Sequence, residues 1–550
     1  MPQSQQKTCK VCKKDFTVDS SDLDFYTSVD AIPPSSCPTC RMTKRLAFWP
    51  FGKFHKRACD LTGEKLISIF PPDADFPVYK TKHWYSDDWT PPEMEYDSSR
   101  SFFEQMLDLH KRSPRPHQLG EKNENCDYGD DAWESKNCYL SRSFLQCENL
   151  SYSYRNVRCR DSYDLVYCYD ADQSYDCMYC FKIFGVKHSF DTWNSMNSAF
   201  LYDCRNCQNC FMCWNLRNKE YHILNIPYSK EEYEKKMEEY NTGSQENFEK
   251  IKKEFEEKVR TEAVHKSTFN IKVQNVSGNY LTECKNCHEC YFLETSEDCK
   301  HIIRGLDTKD SQDAAGILRC ELLYDTNQTT EGYRLRHSNF CGNCRESEYL
   351  DFCQNCEYCF GCIGLRNKKY RILNKQYSEE EYKELTETIR SDMKKRGEYG
   401  EFLPLEMAYV GYNLSFANII YPKDEKQVKE WGGRWEDLEP PIQEGLDVAD
   451  PPDDIQDVEE NIVKQAILCK ESKRPFNVTK DELAFLKRNQ IPLPQLYPDV
   501  RTMHRMKKVF SIESRVATCH FCNKDITVYQ PEELGYRKFA CMDCYHKEIV

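Results

Sequence analysis

The chain has 550 residues, 32 cysteines and a formal net charge of -14 at pH 7, so it is too long for one hydrophobic core and too acidic to coat nucleic acid indiscriminately. No apolar run approaches the roughly 18 residues that a membrane span needs, and the polar start MPQSQQKTCK lacks the apolar core of a secretory signal. A reducing, cytoplasmic setting is expected, where cysteines act as metal ligands or small buried side chains rather than as disulfides.

From the N-terminus, Cys9 and Cys12 form one C-x2-C knuckle and Cys37 and Cys40 a second. Four thiolates in two knuckles satisfy tetrahedral zinc, which supplies folding energy that so small a segment lacks. A second ribbon follows, but its ligand positions hold Cys59, Thr62, Lys80 and His83. Two ligands of four seldom hold structural zinc, so residues 1–120 are predicted to be tandem zinc ribbons, the second without metal. Arg41, Lys44, Arg45, Lys53, Lys56 and Arg57 form an acid-free run interleaved with Phe48, Trp49, Phe51 and Phe54. Positive charge with stacking rings makes this a candidate nucleic-acid contact. The alternative is a solvated ribbon face over a small aromatic core.

Two related segments come next, residues 121–228 and 276–377, offset by 149. CRNCQNCFMCWNLRNKEYHILNIPYSKEEY in the first answers to CQNCEYCFGCIGLRNKKYRILNKQYSEEEY in the second. From Cys126 to Cys213, and again from Cys284 to Cys362, every cysteine falls in one three-residue phase. The other residues in that phase, such as Ser141, Leu150, Leu165, Ser174, Ile302 and Leu323, are small or apolar, so one residue in three faces inward. The next phase is rich in aromatics (Tyr139, Tyr154, Tyr163, Tyr175, Phe181, Trp193), and the third in Asn and Asp (Asn149, Asp161, Asp164, Asp170, Asp191).

Cysteines recur at intervals of 21, as at Cys126, Cys147 and Cys168. Each segment therefore reads as a cysteine-lined β-solenoid of about 21 residues per coil, with about four coils. A bundle of polyproline-type helices has the three-residue period too, but wants more glycine than this chain has. The runs Cys204, Cys207, Cys210, Cys213 and Cys353, Cys356, Cys359, Cys362 approach an iron–sulfur pattern. Their last spacing differs from it, and they continue the phase of Ser, Leu and Ala, which favours packing over ligation. Arg217, Lys219, Arg366 and Lys368 in the two LRNK runs read as a polar cap or an anion contact.

Ser229 with Glu232 and Ser378 with Glu381 make capping boxes, so helical connectors are predicted over 229–275 and 378–435, the second partly irregular. Residues 436–460 hold eleven acidic residues and no basic one, and 436–465 is expected to be a solvated linker. Residues 466–550 repeat the N-terminal pair with its defects reversed. Cys469 stands with Ser472 and no second knuckle, whereas Cys519, Cys522, Cys541 and Cys544 are complete. Arg501 and Arg505 mirror Arg41 and Arg45 and join the candidate nucleic-acid contacts. Two zinc ions per chain are expected.

The segments CPTCRMTKR, CDLTGEKLISIF, FPVY and SRSFFEQ, with the LRNK runs, resemble an uncharacterised family of cysteine-rich zinc-ribbon proteins of candidate-phyla bacteria, over most of the chain. In that family the ribbon at Cys59 usually has four cysteines, from which Thr62, Lys80 and His83 depart. The resemblance implies the architecture and no activity. The expectation is a mainly β protein with helical insertions, in which tandem zinc ribbons flank two solenoid modules. It would act as a non-enzymatic scaffold for a protein partner, or for RNA or the ribosome. A metal or thiol store is a further alternative. Neither a phosphate-binding loop nor a nucleophile motif stands out.

Overall fold

The computed structural model describes residues 3–437 and 445–550. It is strand-rich with some helices, and it divides into two compact units. One comprises residues 1–118 and 268–437, the other 119–267 and 438–550. Each unit joins a stack of parallel strands to the end segment that is not its neighbour in sequence.

In the second unit, parallel strands run from Gly120–Glu121 to Glu220–Ile223 and close on the antiparallel Ile226–Pro227. Register decides the geometry. Tyr154 pairs with Val166, which is 166 − 154 = 12 residues on, and Tyr169 pairs with Phe181 at the same step. In the first unit Glu294 pairs with Leu306 and Leu306 with Leu318, again twelve on. The expected 21-residue coil is therefore wrong, and the turn takes twelve residues. Both 12 and 21 are multiples of three, so cysteines 21 apart share the inward phase without standing above one another.

The three-residue period has a backbone cause. Asn137, Leu140, Ser143, Gln146 and Asn149 all have φ between 47° and 53°, and positive φ recurs at nearly every third residue of both stacks. One left-handed residue turns the strand at each corner, and 12 / 3 gives four corners per turn. Left-handed φ is costly for most L-residues and least so for Asn and Asp, which explains the Asn/Asp phase. At these corners side chains also bond along the stack: Asn125 to Asn137 and Asn137 to Asn149, both at 3.0 Å. The left-handed φ at nearly every third residue excludes the polyproline bundle, whose residues all hold φ at about −75°.

Inward positions form continuous cores of Cys, Leu, Ile, Val and Ala. Each inward thiol lies within reach of backbone carbonyls: Cys147 Sγ is 3.4 Å from Leu145 O and 3.7 Å from Asn156 O. Inward serines do the same and also accept. Ser135 Oγ lies 2.8 Å from Trp133 O and takes a hydrogen bond from Cys147 N at 3.0 Å. Cysteine and serine suit this interior because they are small and carry one donor beside many carbonyls.

The helices after each stack start as the capping boxes predict, at Lys230–Tyr240 and Glu379–Arg396. The acidic stretch departs from a solvated linker. Residues 438–444 lie outside the described residues, but beyond them Ile455, Val458 and Ile462 are buried against the C-terminal segment, and Asp453 accepts from Ser244 Oγ at 2.5 Å. Its acidic composition hid an apolar side in every third or fourth residue.

Candidate metal centres and the docked ribbons

Each end segment contains hairpin–helix pieces, here called ribbons. In the first, strands Gln5–Thr8 and Asp15–Val18 pair antiparallel and present Cys9 and Cys12 at their turn. Cys37 and Cys40 sit at the start of the helix Pro38–Ala47. The four sulfurs lie within 4.8 Å of one another, with Cys12 Sγ 3.7 Å from Cys37 Sγ and the Cys37 N–H donating to Cys9 Sγ at 3.2 Å. A hydrogen bond from Cys40 holds the Cys37 thiol down at about 5, which is thiolate character suited to a cation.

At the other end, strands Arg515–Thr518 and Asp525–Val528 carry Cys519 and Cys522, and the helix Met542–Glu548 begins at Cys541 with Cys544 in its first turn. These sulfurs also lie within 4.8 Å of one another. Burial pushes Cys519 up, but N–H donors, including Cys541 N at 3.4 Å, outweigh it and bring it to about 6. Four convergent sulfurs leave no open coordination position, the arrangement of a structural rather than a catalytic ion. Either set could hold a metal ion.

The other two ribbons keep the knuckle geometry with different chemistry. Cys59 accepts from Lys80 N at 3.3 Å, and Lys80 Nζ pairs with Glu64; Thr62 is exposed and His83 lies 3.3 Å from Asp88. Cys469 accepts from Ser472 N at 3.4 Å. Tyr497 stands where the first ribbon has Cys37, and the Arg474 guanidinium lies 3.7 Å over its ring. The runs Cys204, Cys207, Cys210, Cys213 and Cys353, Cys356, Cys359, Cys362 are buried. Among the described residues, the cysteine groups compact enough to hold an ion are the two at the ends. In the runs the sulfurs face carbonyls instead, as Cys204 does Tyr202 O at 3.5 Å. Burial pushes Cys204 and Cys353 well above the usual thiol range, while bonds from Cys204 and Cys210 pull Cys207 down to about 3.

The basic run fits neither alternative in full: Arg41 and Arg45 are buried in ion pairs rather than offered to nucleic acid or solvent, while Phe48 and Trp49 do sit in an aromatic core. In the first unit Arg41 binds Asp313 at 2.7 Å, and Arg45 binds Asp313 at 3.3 Å and Asp325; the side chains of Arg45 and Asp313 are fully buried. In the second unit Arg501 binds Asp164 at 2.7 Å, and Arg505 binds Asp164 and, at 2.9 Å, Asp176. These four arginines are therefore not presented to a phosphate backbone. Lys44 donates to Phe402 O at 2.9 Å, Arg57 to Pro71 O at 2.6 Å and Asp60 at 2.8 Å. Lys56 is exposed and Lys53 half-buried. Phe48 and Trp49 are buried against Phe402 and Phe416, so these two of the interleaved rings are core, while Phe51 and Phe54 are half-buried.

The same design recurs in both units. Asp164 and Asp176 are 149 residues before Asp313 and Asp325, and the paired histidines follow suit: His188 lies 2.9 Å from Asp176 and His337 3.2 Å from Asp325. The LRNK arginines dock the second ribbon of each unit. Arg217 donates to Tyr545 Oη at 2.5 Å and Arg366 to Ser86 O at 2.6 Å. The sequence places Asp164 in the Asn/Asp phase, but the docking role of these aspartates was missed. Their signal was a pair of Asp residues twelve apart in the corner phase, repeated at 149, matching Arg pairs repeated at 460. Among the described residues no helix is long and apolar enough to cross a membrane. A scan against protein-family models and a search of curated proteins return no match to this chain.

Proposed function

We propose that this protein is a zinc-binding, non-enzymatic interaction scaffold, two ions per chain, whose solenoid-like stacks offer extended faces to a macromolecular partner in the cytoplasm. The observation that carries the reading is a set of large apolar side chains left exposed on one stack: Trp133, Leu145, Phe184 and Met196 are 38–42% exposed. Trp133 pairs with Leu145 and Phe184 with Met196 on adjacent turns, so these are rows rather than scattered residues. Exposed apolar rows are a feature of interaction sites. The closed four-sulfur donor sets favour zinc over harder cations.

The RNA or ribosome reading loses Arg41, Arg45, Arg501 and Arg505 to buried ion pairs and rests on Lys53 and Lys56. Storage of metal on the interior thiols would require them to leave their carbonyl partners. Two measurements test the scaffold. Elemental analysis of native protein should give about two zinc ions per chain, and many more would favour storage. Quantitative cross-linking in cells should recover a partner with the wild type and lose it with Phe184→Ser/Met196→Ser. An unchanged cross-link profile would sink the reading.

A further inference from the structure

We propose that each metal centre is a latch: ion occupancy holds its helix on the aspartates of the stack in the same unit, and ion loss frees that ribbon while the metal-free ribbon beside it stays docked. The inference rests on the metal reading above. The helices Ser20–Ser28, Phe102–Arg112, Lys230–Tyr240, Glu379–Arg396 and Lys480–Arg488 each have an Asp, Ser or Thr that accepts a backbone N–H at the N-terminus. The helices Pro38–Ala47 and Met542–Glu548 begin at Cys37 and Cys541 with no side-chain cap, and the matching helices of the metal-free ribbons, Thr81–Trp84 and Pro498–Val509, begin uncapped at Lys80 and Tyr497. In the two that begin at cysteine, the first turns carry orphan N–H groups and are fixed by whatever fixes the thiols.

The docking residue follows the last ligand in both. Cys40 precedes Arg41, whose Nε donates to Asp313 at 3.0 Å, and Arg45 lies one turn further. Cys544 precedes Tyr545, whose hydroxyl binds Asp203, a buried carboxylate also met by Arg217. A first turn that frays withdraws Arg41 and Arg45 from the buried Asp313 and Asp325, where an unpaired charge is strongly unfavourable, and takes one donor from Asp203, which keeps Arg217. The metal-free ribbons bridge the same gap with side chains. Arg474 reaches from the hairpin to Tyr497 and to Asp499 at 3.7 Å, and Lys80 reaches Glu64. Those ribbons are held without an ion.

The test is hydrogen exchange on the full chain before and after zinc is removed with EDTA, with the metal counted in both states. On removal, exchange should quicken about ten-fold or more in 37–47 and 541–549, as local opening predicts, and stay unchanged in 480–509. Arg41→Gln should retain two ions yet quicken 37–47, separating docking from metal binding. Metal removed with no change in exchange, or with all four ribbons loosening together, overturns the latch alone. A native protein without metal overturns the latch and the zinc reading together.

Discussion

Glu348 shows how much a single buried charge decides in this fold. Its carboxylate is 3% exposed, lies 2.7 Å from Arg336 and also meets Arg390 and Tyr399. Burial pushes its pKa up, but the two guanidinium groups outweigh burial and hold it at about 2, from 4.5. The folded value is depressed, so its stabilisation is complete above the unfolded value and is lost as pH falls from 4.5 towards 2. A shift of this size corresponds to about 3 kcal/mol at neutral pH. Urea unfolding should therefore show Glu348→Gln destabilised at pH 7, with the gap to wild type narrowing towards pH 3. A gap that stays constant with pH would refute the ionised pairing. Other acids titrate in the same range, which is why the difference from the variant is the informative quantity.

At the scale of the strand, an inward thiol exchanges readily for serine, whereas a larger side chain at the same place must find room among neighbours already packed. Cys168 is fully buried, with Cys177 O 3.4 Å and Val166 O 3.6 Å from its sulfur. Ser162 occupies an equivalent inward place, bonding Arg160 O at 2.7 Å and accepting from Ser174 N at 3.0 Å. Cys168→Ser should then cost about 1 kcal/mol or less, because a donor of similar size remains, and Cys168→Leu about 1–3 kcal/mol through overpacking. Urea midpoints measure both. Neither should alter the zinc count, and a lost ion would place a ligand inside the stack. The phase of these cysteines was legible because one inward residue in three leaves a mark that survives substitution among Cys, Ser, Leu and Ala. Turn length was not legible in the cysteines. It is set by which backbone N–H meets which C=O, and spacings of 12 and 21 are equivalent to an inward phase. The Asn corners and the 12-residue spacing of Asp164/Asp176 and Asp313/Asp325 held that information.

For the whole chain, the knuckles, capping boxes and duplications could be read locally, whereas the grouping into units could not, since it rests on pairings between distant segments. Arg45 meets Asp325 across 280 residues and Arg505 meets Asp164 across 341. An arginine run of this kind carries no mark of whether its partner is a phosphate or a carboxylate of the same chain. The regrouping has a consequence for assembly. Residues 1–118 and 268–437 form one compact unit although 149 residues separate them in sequence, and much of what joins them is noncovalent. Arg41 and Arg45 meet Asp313 and Asp325, Arg115 meets Asp351 at 2.6 Å, and Phe102 packs on Tyr349 and Phe360. Co-expressed as separate polypeptides, 1–118 and 268–437 should co-purify as a 1:1 complex by light scattering. Arg45→Glu in the first piece should abolish it, because it sets a third carboxylate beside two that are buried. The second piece alone should aggregate, as it leaves Tyr324 and Tyr349 without their cover. Independent, soluble folding of both pieces without association would mean that the docking contacts contribute little, and the two-unit division would then be one of geometry rather than of stability.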